Sequence, residues 1–207
     1  MKSIDELAEL FKKLPGVGPR QARRFVYHLL TASREEATRI ATLIKSMHEE
    51  TLVCAECHRF FPRDLKENRL CKECRDETRD TSLLAIVPRD SDREAIEKSG
   101  TYRGYYFILG GSVPVLGDHP EKRIRLPALL ILIKKRKAMG LKEIIIAMDA
   151  NPEGDHTGEF LVSRLESIAK EFSLTITTLG RGLSTGTELE YADSDTIKNA
   201  FGNRLKI

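Results

Sequence analysis

The first fifty residues alternate apolar and polar positions at helical spacing. Over residues 4–13 an apolar side chain recurs every three or four positions, which predicts a helix with one buried face. The segment Leu14-Pro15-Gly16-Val17-Gly18 ends this helix, and Pro19 suits the first position of a second helix. The residues expected to be buried in the second helix are Ala22, Phe25, Val26 and Leu29. The pattern therefore predicts two helices joined by a tight, glycine-containing hairpin.

A third helix is predicted to follow. Ser33, with Glu36 three residues later, forms a capping box of the kind that marks a helix N-terminus. Apolar residues then recur at helical spacing, and those expected to face inward are Ala37, Ile40, Ala41, Ile44 and Met47. We expect this helix to lead directly into the cysteine cluster considered below.

From about Thr81 onward, short apolar runs alternate with helical patterns. The predicted elements are a strand at 83–87, a helix at 92–99, strands at 105–109 and 143–148, helices at 127–139 and 157–170, and a strand at 174–178. This alternation predicts an α/β fold with a mainly parallel sheet flanked by helices. Ligands of such folds gather at the carboxyl ends of strands, where Asp149, Glu153 and Asp155 follow the strand at 143–148.

The four cysteines form two CxxC pairs, Cys54 with Cys57 and Cys71 with Cys74. Four thiolates at this spacing predict a tetrahedral zinc site with a structural role, because no coordination position stays open for water. The alternatives are a pair of disulfides or a redox-active CxxC. The N-terminal residues 1–10 contain three acids and no apolar signal segment, so we expect reduced thiols and favour zinc.

Composition excludes some classes and leaves nucleic-acid binding open. The chain has 207 residues, 41% of them hydrophobic and 31% charged, which is typical of a soluble protein with more than one module. Its longest apolar run, residues 126–133, contains Pro127 and falls far short of the roughly 20 residues that a membrane-spanning helix needs. The formal net charge of +3 permits binding to nucleic acid without requiring it.

Positive charge is concentrated around the predicted hairpin. No acid occurs over residues 11–24, and glycines and free N–H groups at the start of the second helix favour a bound anion. This segment resembles the helix-hairpin-helix motif that binds the DNA backbone. The residues expected to contact DNA are Lys13, Gly16, Gly18, Arg20, Arg23 and Arg24. The alternative is an ordinary helical hairpin with a solvated basic face.

A second basic run, Lys134-Lys135-Arg136-Lys137, lies near the end of the helix predicted at 127–139. Two interpretations of this run stay open, namely a solvated helix face and a surface that lines DNA.

The acidic loop after the strand at 143–148 resembles that of the Toprim domain of topoisomerases and primases. In that family a glutamate after the first strand joins an Asp-x-Asp pair to bind Mg²⁺, but the corresponding positions here are Pro88 and Asn151. We therefore predict a Toprim fold without catalysis, and no enzyme. The alternative is a metal-dependent nuclease or primase that uses Asp149, Glu153 and Asp155.

The order of these segments resembles that of the RecR family of bacterial recombination mediators. The tail Arg181-Gly182-Leu183, running into Leu189-Glu190-Tyr191-Ala192-Asp193, is the most distinctive match. The resemblance implies four parts: a helix-hairpin-helix domain at 1–53, a zinc finger at 54–78, a Toprim domain at 79–178, and a Walker B-like tail with Asp193 at 179–207. No GxxxxGK[ST] loop occurs, so ATP hydrolysis is not predicted.

The same resemblance implies a function and partners. It implies a non-catalytic protein that binds DNA, holds one structural Zn²⁺, and acts with the RecO and RecF proteins to load recombinase onto gapped DNA. It also implies a homo-dimer or tetramer assembled through the hairpin and C-terminal regions, in the bacterial cytoplasm on the nucleoid. Glu153 and Asp155 are the expected partner-binding surface.

Overall fold

The structure of the chain is a computed structural model that describes residues 2–63, 68–115, 120–186 and 188–204. Part of the insert between the two cysteine pairs, Thr187 of the tail motif and the last three residues lie outside the described residues. The chain divides into two compact units, Met1–Leu52 and Val53–Ile207. No described helix is both long and apolar enough to cross a membrane.

The first unit contains three helices: α1 (Lys2–Phe11), α2 (Pro19–Thr31) and α3 (Arg34–Glu50). Ala8 of α1 and Ala22 and Val26 of α2 are buried between the first two helices, as the periodicity predicts. Ser33 caps α3, because its side-chain oxygen accepts a hydrogen bond from the Glu36 N–H at 3.1 Å. The three predicted helices are therefore present.

The prediction that α3 has an inward face is wrong. No described residue of α3 is buried, and Ile40, Ile44 and Met47 are 38%, 53% and 52% exposed. Helical apolar spacing identifies the face that would gain from leaving water. It does not specify that the same chain supplies the cover.

The second unit contains the following elements: β1 (Thr51–Val53, which begins in the first unit), β2 (Phe60–Pro62), α4 (Lys72–Arg75), β3 (Asp80–Val87), α5 (Asp90–Ser99), β4 (Gly104–Ile108), α6 (Leu126–Lys137), β5 (Glu143–Ile146), α7 (Pro152–Phe172), β6 (Thr175–Thr178) and α8 (Ser194–Gly202). Strands β1 and β2 form a small two-stranded sheet. The other strands form a four-stranded sheet in the order β4-β3-β5-β6, and every pairing in it is parallel. This confirms the predicted mixed α/β fold.

The sheet is covered by helices on both faces. Leu84 and Ile86 of β3 belong to the larger core, to which α6 and α7 contribute. Ala85 and Val87 point to the opposite face, where Ile96 of α5 packs. Both faces of β3 are apolar because a parallel strand between two helical layers has no solvated side.

The carboxyl ends of three strands meet at one edge of this sheet. Val87 of β3 is in register with Ile108 of β4, and Ile86 is in register with Ile146 of β5. The loop after β5 is tight, because a Cβ atom at Gly154 would overlap the backbone oxygen of Asp149. The predicted acidic loop therefore lies at the carboxyl edge, where ligand sites of this fold class are found.

Candidate nucleic-acid interface and metal centre

The hairpin between α1 and α2 exposes its backbone. The Val17 N–H donates to the Leu14 oxygen at 3.1 Å, and Gly16 has a φ of +76°, a left-handed conformation that favours glycine. Gly18 has an ordinary φ of −80° and is the N-cap of α2. A Cβ atom added at either glycine would meet no atom within 4 Å. Neither glycine is therefore required for packing within the chain, and their surface is open to a ligand.

Four cationic side chains near this turn are available for an anion. Lys13, Arg20 and Arg24 are exposed, and none of them forms an ion pair with another described residue. Arg23 is also exposed and lies 3.8 Å from the carboxylate of Asp5. Arg20, Arg23 and Arg24 are spaced so that they share one side of α2, near its N-terminus. The arrangement concentrates positive charge where the helix dipole is also positive.

The four predicted zinc ligands come together. The thiol sulfurs of Cys54, Cys57, Cys71 and Cys74 all lie within 4.8 Å of one another. The first three cysteines are buried, the fourth is half-buried, and none forms a disulfide. The two residues between the members of each pair bring the sulfurs onto one turn, which is the geometry that zinc knuckles use.

The polarity of the cluster also suits a cation. Hydrogen bonds from the thiols of Cys57, Cys71 and Cys74 lower the pKa of Cys54, whereas their bonds to Cys54 raise the pKa of Cys57 and Cys74, so the negative charge of the metal-free cluster lies on Cys54. The Cys71 N–H donates to the Cys54 sulfur at 3.4 Å, which stabilises negative charge on that sulfur. Four soft, clustered donors of this kind fit Zn²⁺ with a closed coordination shell.

Each CxxC pair carries a glutamate immediately before its second cysteine. Glu56 forms ion pairs with Lys135 and Arg136 of α6. Arg136 is only 2% exposed and its guanidinium carbon lies 3.6 Å from the centre of the Tyr105 ring. The basic run at 134–137 is therefore not uniformly a solvated face, because Arg136 is buried in the sheet domain.

Glu73, in the second pair, makes the equivalent contact with the other helical layer. It forms ion pairs with Arg59 and with Arg93 of α5, the latter at 3.2 Å. Burial alone would raise the pKa of Glu73, but hydrogen bonds from its own backbone N–H and from Arg59 lower it. Glu56 and Glu73 were not predicted as functional residues, although their identical C-x-E-C context was a signal that the sequence contained.

The acids at the carboxyl edge of the sheet do not converge on one ion. Asp149 lies 3.8 Å from the guanidinium of Arg89, and Asp155 forms an ion pair with Arg181. The hydrogen bond from Arg181 lowers the pKa of Asp155. Apart from the cysteine cluster, no three described His, Cys, Asp or Glu residues bring their ligand atoms within 4.8 Å of one another. Glu153 and Asp155, the expected partner surface, are both exposed at the start of α7.

Asp193, the acid of the tail motif, caps a helix. Its carboxylate accepts hydrogen bonds from the N–H groups of Asp195 and Thr196, at 3.0 and 2.9 Å, and from the Thr196 hydroxyl at 2.7 Å. These bonds begin α8 and lower the pKa of Asp193. The capping role therefore accounts for an acid at this position, and no bound nucleotide is needed to explain it.

Comparison with known proteins identifies three matched segments. A family model described as the RecR helix-hairpin-helix matches residues 4–48, a Toprim domain model matches residues 82–177, and a model described as the RecR C-terminal segment matches residues 182–204.

Full-length relatives agree with these matches. The chain is 36% identical over 203 residues to the "Recombination protein RecR" of Paenarthrobacter aurescens, with 98% of this chain and 96% of the relative covered. It is 36% identical over 206 residues to the protein of the same name from Hydrogenovibrio crunogenus, with coverage of 99% and 98%. The corresponding Staphylococcus aureus protein is 35% identical over 205 residues, with coverage of 99% and 97%.

Proposed function

This chain belongs to the RecR family of recombination proteins, and we propose that it acts in recombinational DNA repair as a non-catalytic mediator that binds DNA. The observation that carries the DNA-binding part is the open glycine turn with its exposed cations. Lys13, Arg20, Arg23 and Arg24 supply charge for the phosphates, and Gly16 and Gly18 let the backbone approach them. Contacts of this kind give affinity without sequence preference.

The double variant Arg20→Ala/Arg24→Ala tests this interface. Each lost phosphate contact reduces the slope of log affinity against log salt by about 1, so the double variant should lower it by about 2. Arg39→Ala/Lys45→Ala is a matched control, because it removes the same charge from exposed positions of α3. Fluorescence anisotropy over a salt series measures both. Equal affinity of the two double variants would rule out the hairpin as the DNA contact.

We assign one structural Zn²⁺ to Cys54, Cys57, Cys71 and Cys74. With four sulfur ligands the metal would have no open position for a substrate, so its contribution is to the fold. The zinc content of the purified protein, and its loss in a Cys57→Ser variant, test this assignment. A protein without bound metal would refute it.

The proposed partners are those that the resemblance to the RecR family implies. We propose that the chain works with RecO and RecF to load recombinase onto gapped DNA in the bacterial cytoplasm, on the nucleoid, and that it forms a homo-dimer or tetramer. Glu153 and Asp155 are the proposed contact with a partner, because they are exposed at one sheet edge. Glu153→Gln/Asp155→Asn should weaken RecO capture, whereas Glu159→Gln/Glu166→Gln, two more exposed acids of α7, should leave it unchanged.

The alternative function, a metal-dependent nuclease or primase, has less support because Asp149 and Asp155 each face an arginine. We expect no nicking and no primer synthesis with Mg²⁺ or Mn²⁺. Activity that disappears in an Asp149→Asn variant would overturn the non-catalytic assignment.

A further inference from the structure

Strand β4 lies at the edge of the sheet, yet all five of its residues are buried. On its inner side, the Leu109 N–H just beyond the strand donates to the Val87 oxygen at 2.8 Å. On its outer side, the Ile108 N–H donates to the oxygen of Cys57, also at 2.8 Å. A carbonyl of the cysteine cluster thus occupies the place where a further strand would pair.

Ion pairs connect the cysteine cluster to the helical layers on both faces of the sheet. Glu56 of the first pair binds Arg136 of α6, and Glu73 of the second pair binds Arg93 of α5. Helices α6 and α5 pack on opposite faces of the sheet. Between these two attachments the ring of His58 packs edge-on against Phe107 of β4, with ring centres 5.4 Å apart. The two glutamates therefore hold the cluster across the strand edge.

Both attachments depend on buried cations. Arg136 and Arg93 are 2% and 4% exposed, so neither can exchange its glutamate for bulk water where it stands. A buried charge that loses its partner is strongly destabilised. Displacement of the cysteine cluster would leave Arg136 without the Glu56 carboxylate, and it would leave Arg93 with only the more distant carboxylate of Glu94, at 3.7 Å. The positions of the two CxxC turns and of the sheet edge are therefore coupled through these ion pairs.

We propose that the two CxxC turns form a metal-dependent cover for the open edge of β4, with Glu56 and Glu73 as the positioning residues that transmit metal binding to the sheet. The proposal rests on the zinc assignment made above. It adds that the metal stabilises the edge of β4, and that the side chains of Glu56 and Glu73 connect the metal site to the sheet.

Hydrogen exchange of two neighbouring amides tests the cover directly. The zinc-loaded and chelator-treated full-length proteins are compared by NMR or by fragment-resolved mass spectrometry. Removal of zinc should accelerate exchange at Ile108 at least about tenfold more than at Leu109, because only the Ile108 N–H bonds to the cluster. Equal acceleration at both amides, or none at either, would overturn the proposal.

The positioning role has its own test. Glu56→Gln and Glu73→Gln should each lower zinc affinity about tenfold, as is typical when a group supporting the ligands is removed. The tetrahedral Co²⁺ spectrum and zinc competition measure this. Glu77→Gln, an exposed glutamate three residues beyond Cys74, is the matched control. Affinities equal to that of the control would show that the glutamates do not transmit metal binding.

A double variant keeps the test interpretable if Glu56→Gln folds poorly. Glu56→Gln/Arg136→Met removes both charges and should regain stability, since no unpaired buried cation remains. Its Ile108 amide should still exchange faster than in the unaltered zinc-loaded protein. If the double variant retains zinc and its Ile108 exchange is unaltered, the proposed cover of β4 is wrong but the zinc assignment stands. If the unaltered protein never binds zinc, both the cover and the zinc assignment are wrong.

Discussion

Two helices of this chain have the same spacing of apolar residues, but the apolar face is buried in one and exposed in the other. In the sheet domain, helix α7 has apolar residues four positions apart at Leu161 and Leu165, and both side chains are completely buried in the core. In the first unit, helix α3 has the same spacing at Ile40 and Ile44, but these side chains are 38% and 53% exposed. The comparison shows that periodicity predicts which face is apolar, whereas burial depends on what else the chain brings to that face.

The difference has a physical basis in size and topology. The parallel strands are covered on both sides by helices of the same domain, so the sheet domain completes its own core. The first unit has only Ala8, Ala22 and Val26 fully buried among its described apolar residues. A unit of about fifty residues buries too little surface to be strongly stable alone. An exposed apolar face on such a unit is suited to another protein surface, in agreement with the proposed self-assembly.

The largest effect is expected from a truncation in the completed core. Leu129→Ala removes a fully buried side chain and leaves a cavity between α6 and the sheet, so the free energy of unfolding should fall by about 3 kcal/mol. Denaturant titration followed by circular dichroism measures it. A loss below 1 kcal/mol, at the level expected of exposed sites, would show that this core is not closed as described.

Much of the sheet domain could be predicted from sequence. The apolar runs that became β3, β4, β5 and β6 were found in order, because strands buried on both faces are nearly continuous in hydrophobicity. The cysteine cluster was also predictable, since CxxC spacing is set by metal geometry. The exposed hairpin could be predicted from the local pattern of glycine, proline and charged residues alone.

Other features depended on contacts between distant residues. Arg136 lies in a run of four basic residues, and nothing local distinguishes it from its solvated neighbours. Its burial depends on Glu56, eighty residues away in sequence, and on Tyr105. The role of Asp193 was attributed to a motif, while the structure gives it a capping role within its own turn. The capping role could have been predicted from the sequence, because aspartate is a preferred residue immediately before a helix. No local pattern predicts the burial of Arg136.

Substitutions of the two hairpin glycines distinguish effects on the stability of the first unit from effects on DNA binding. Gly16→Ala should reduce the stability of the first unit by about 1 kcal/mol, because a residue with a Cβ is strained at its positive φ. Gly18→Ala should leave stability nearly unchanged, since its φ is −80° and its surroundings are open. Both should weaken DNA binding. Unaltered DNA affinity in a folded Gly18→Ala variant would refute close approach of the backbone to phosphate.

The exposed face of α3 should matter for assembly more than for folding. Leu43→Ala should change the free energy of unfolding of the dilute protein by less than about 0.5 kcal/mol, as is usual for exposed sites. If the face is covered by a second copy, the same change should weaken self-association about tenfold, which corresponds to about 1.4 kcal/mol. Sedimentation velocity over a concentration series measures this. Unchanged association would place the contact elsewhere.

The smallest effect is expected in the tail. Asp193→Ala removes the cap of α8 and should accelerate amide exchange in its first turn about fivefold, whereas Asp193→Asn retains an acceptor and should change it little. A Walker B-type acid would instead be sensitive to the loss of charge itself. Equal effects of the Ala and Asn variants would therefore contradict the capping role.

The pH dependence of the tail gives an independent check on the same residue. Hydrogen bonds from the Thr196 backbone and hydroxyl hold the pKa of Asp193 below its unfolded value, so the charged form stabilises the folded tail. This contribution is complete above about pH 4, near the unfolded pKa of an aspartate, and is lost as the pH falls through the lowered pKa. Chemical shifts of α8 amides should report that loss, and the Asp193→Asn variant should not show it because its side chain does not titrate. A tail that loses α8 with the same midpoint in both proteins would assign the transition to other carboxylates.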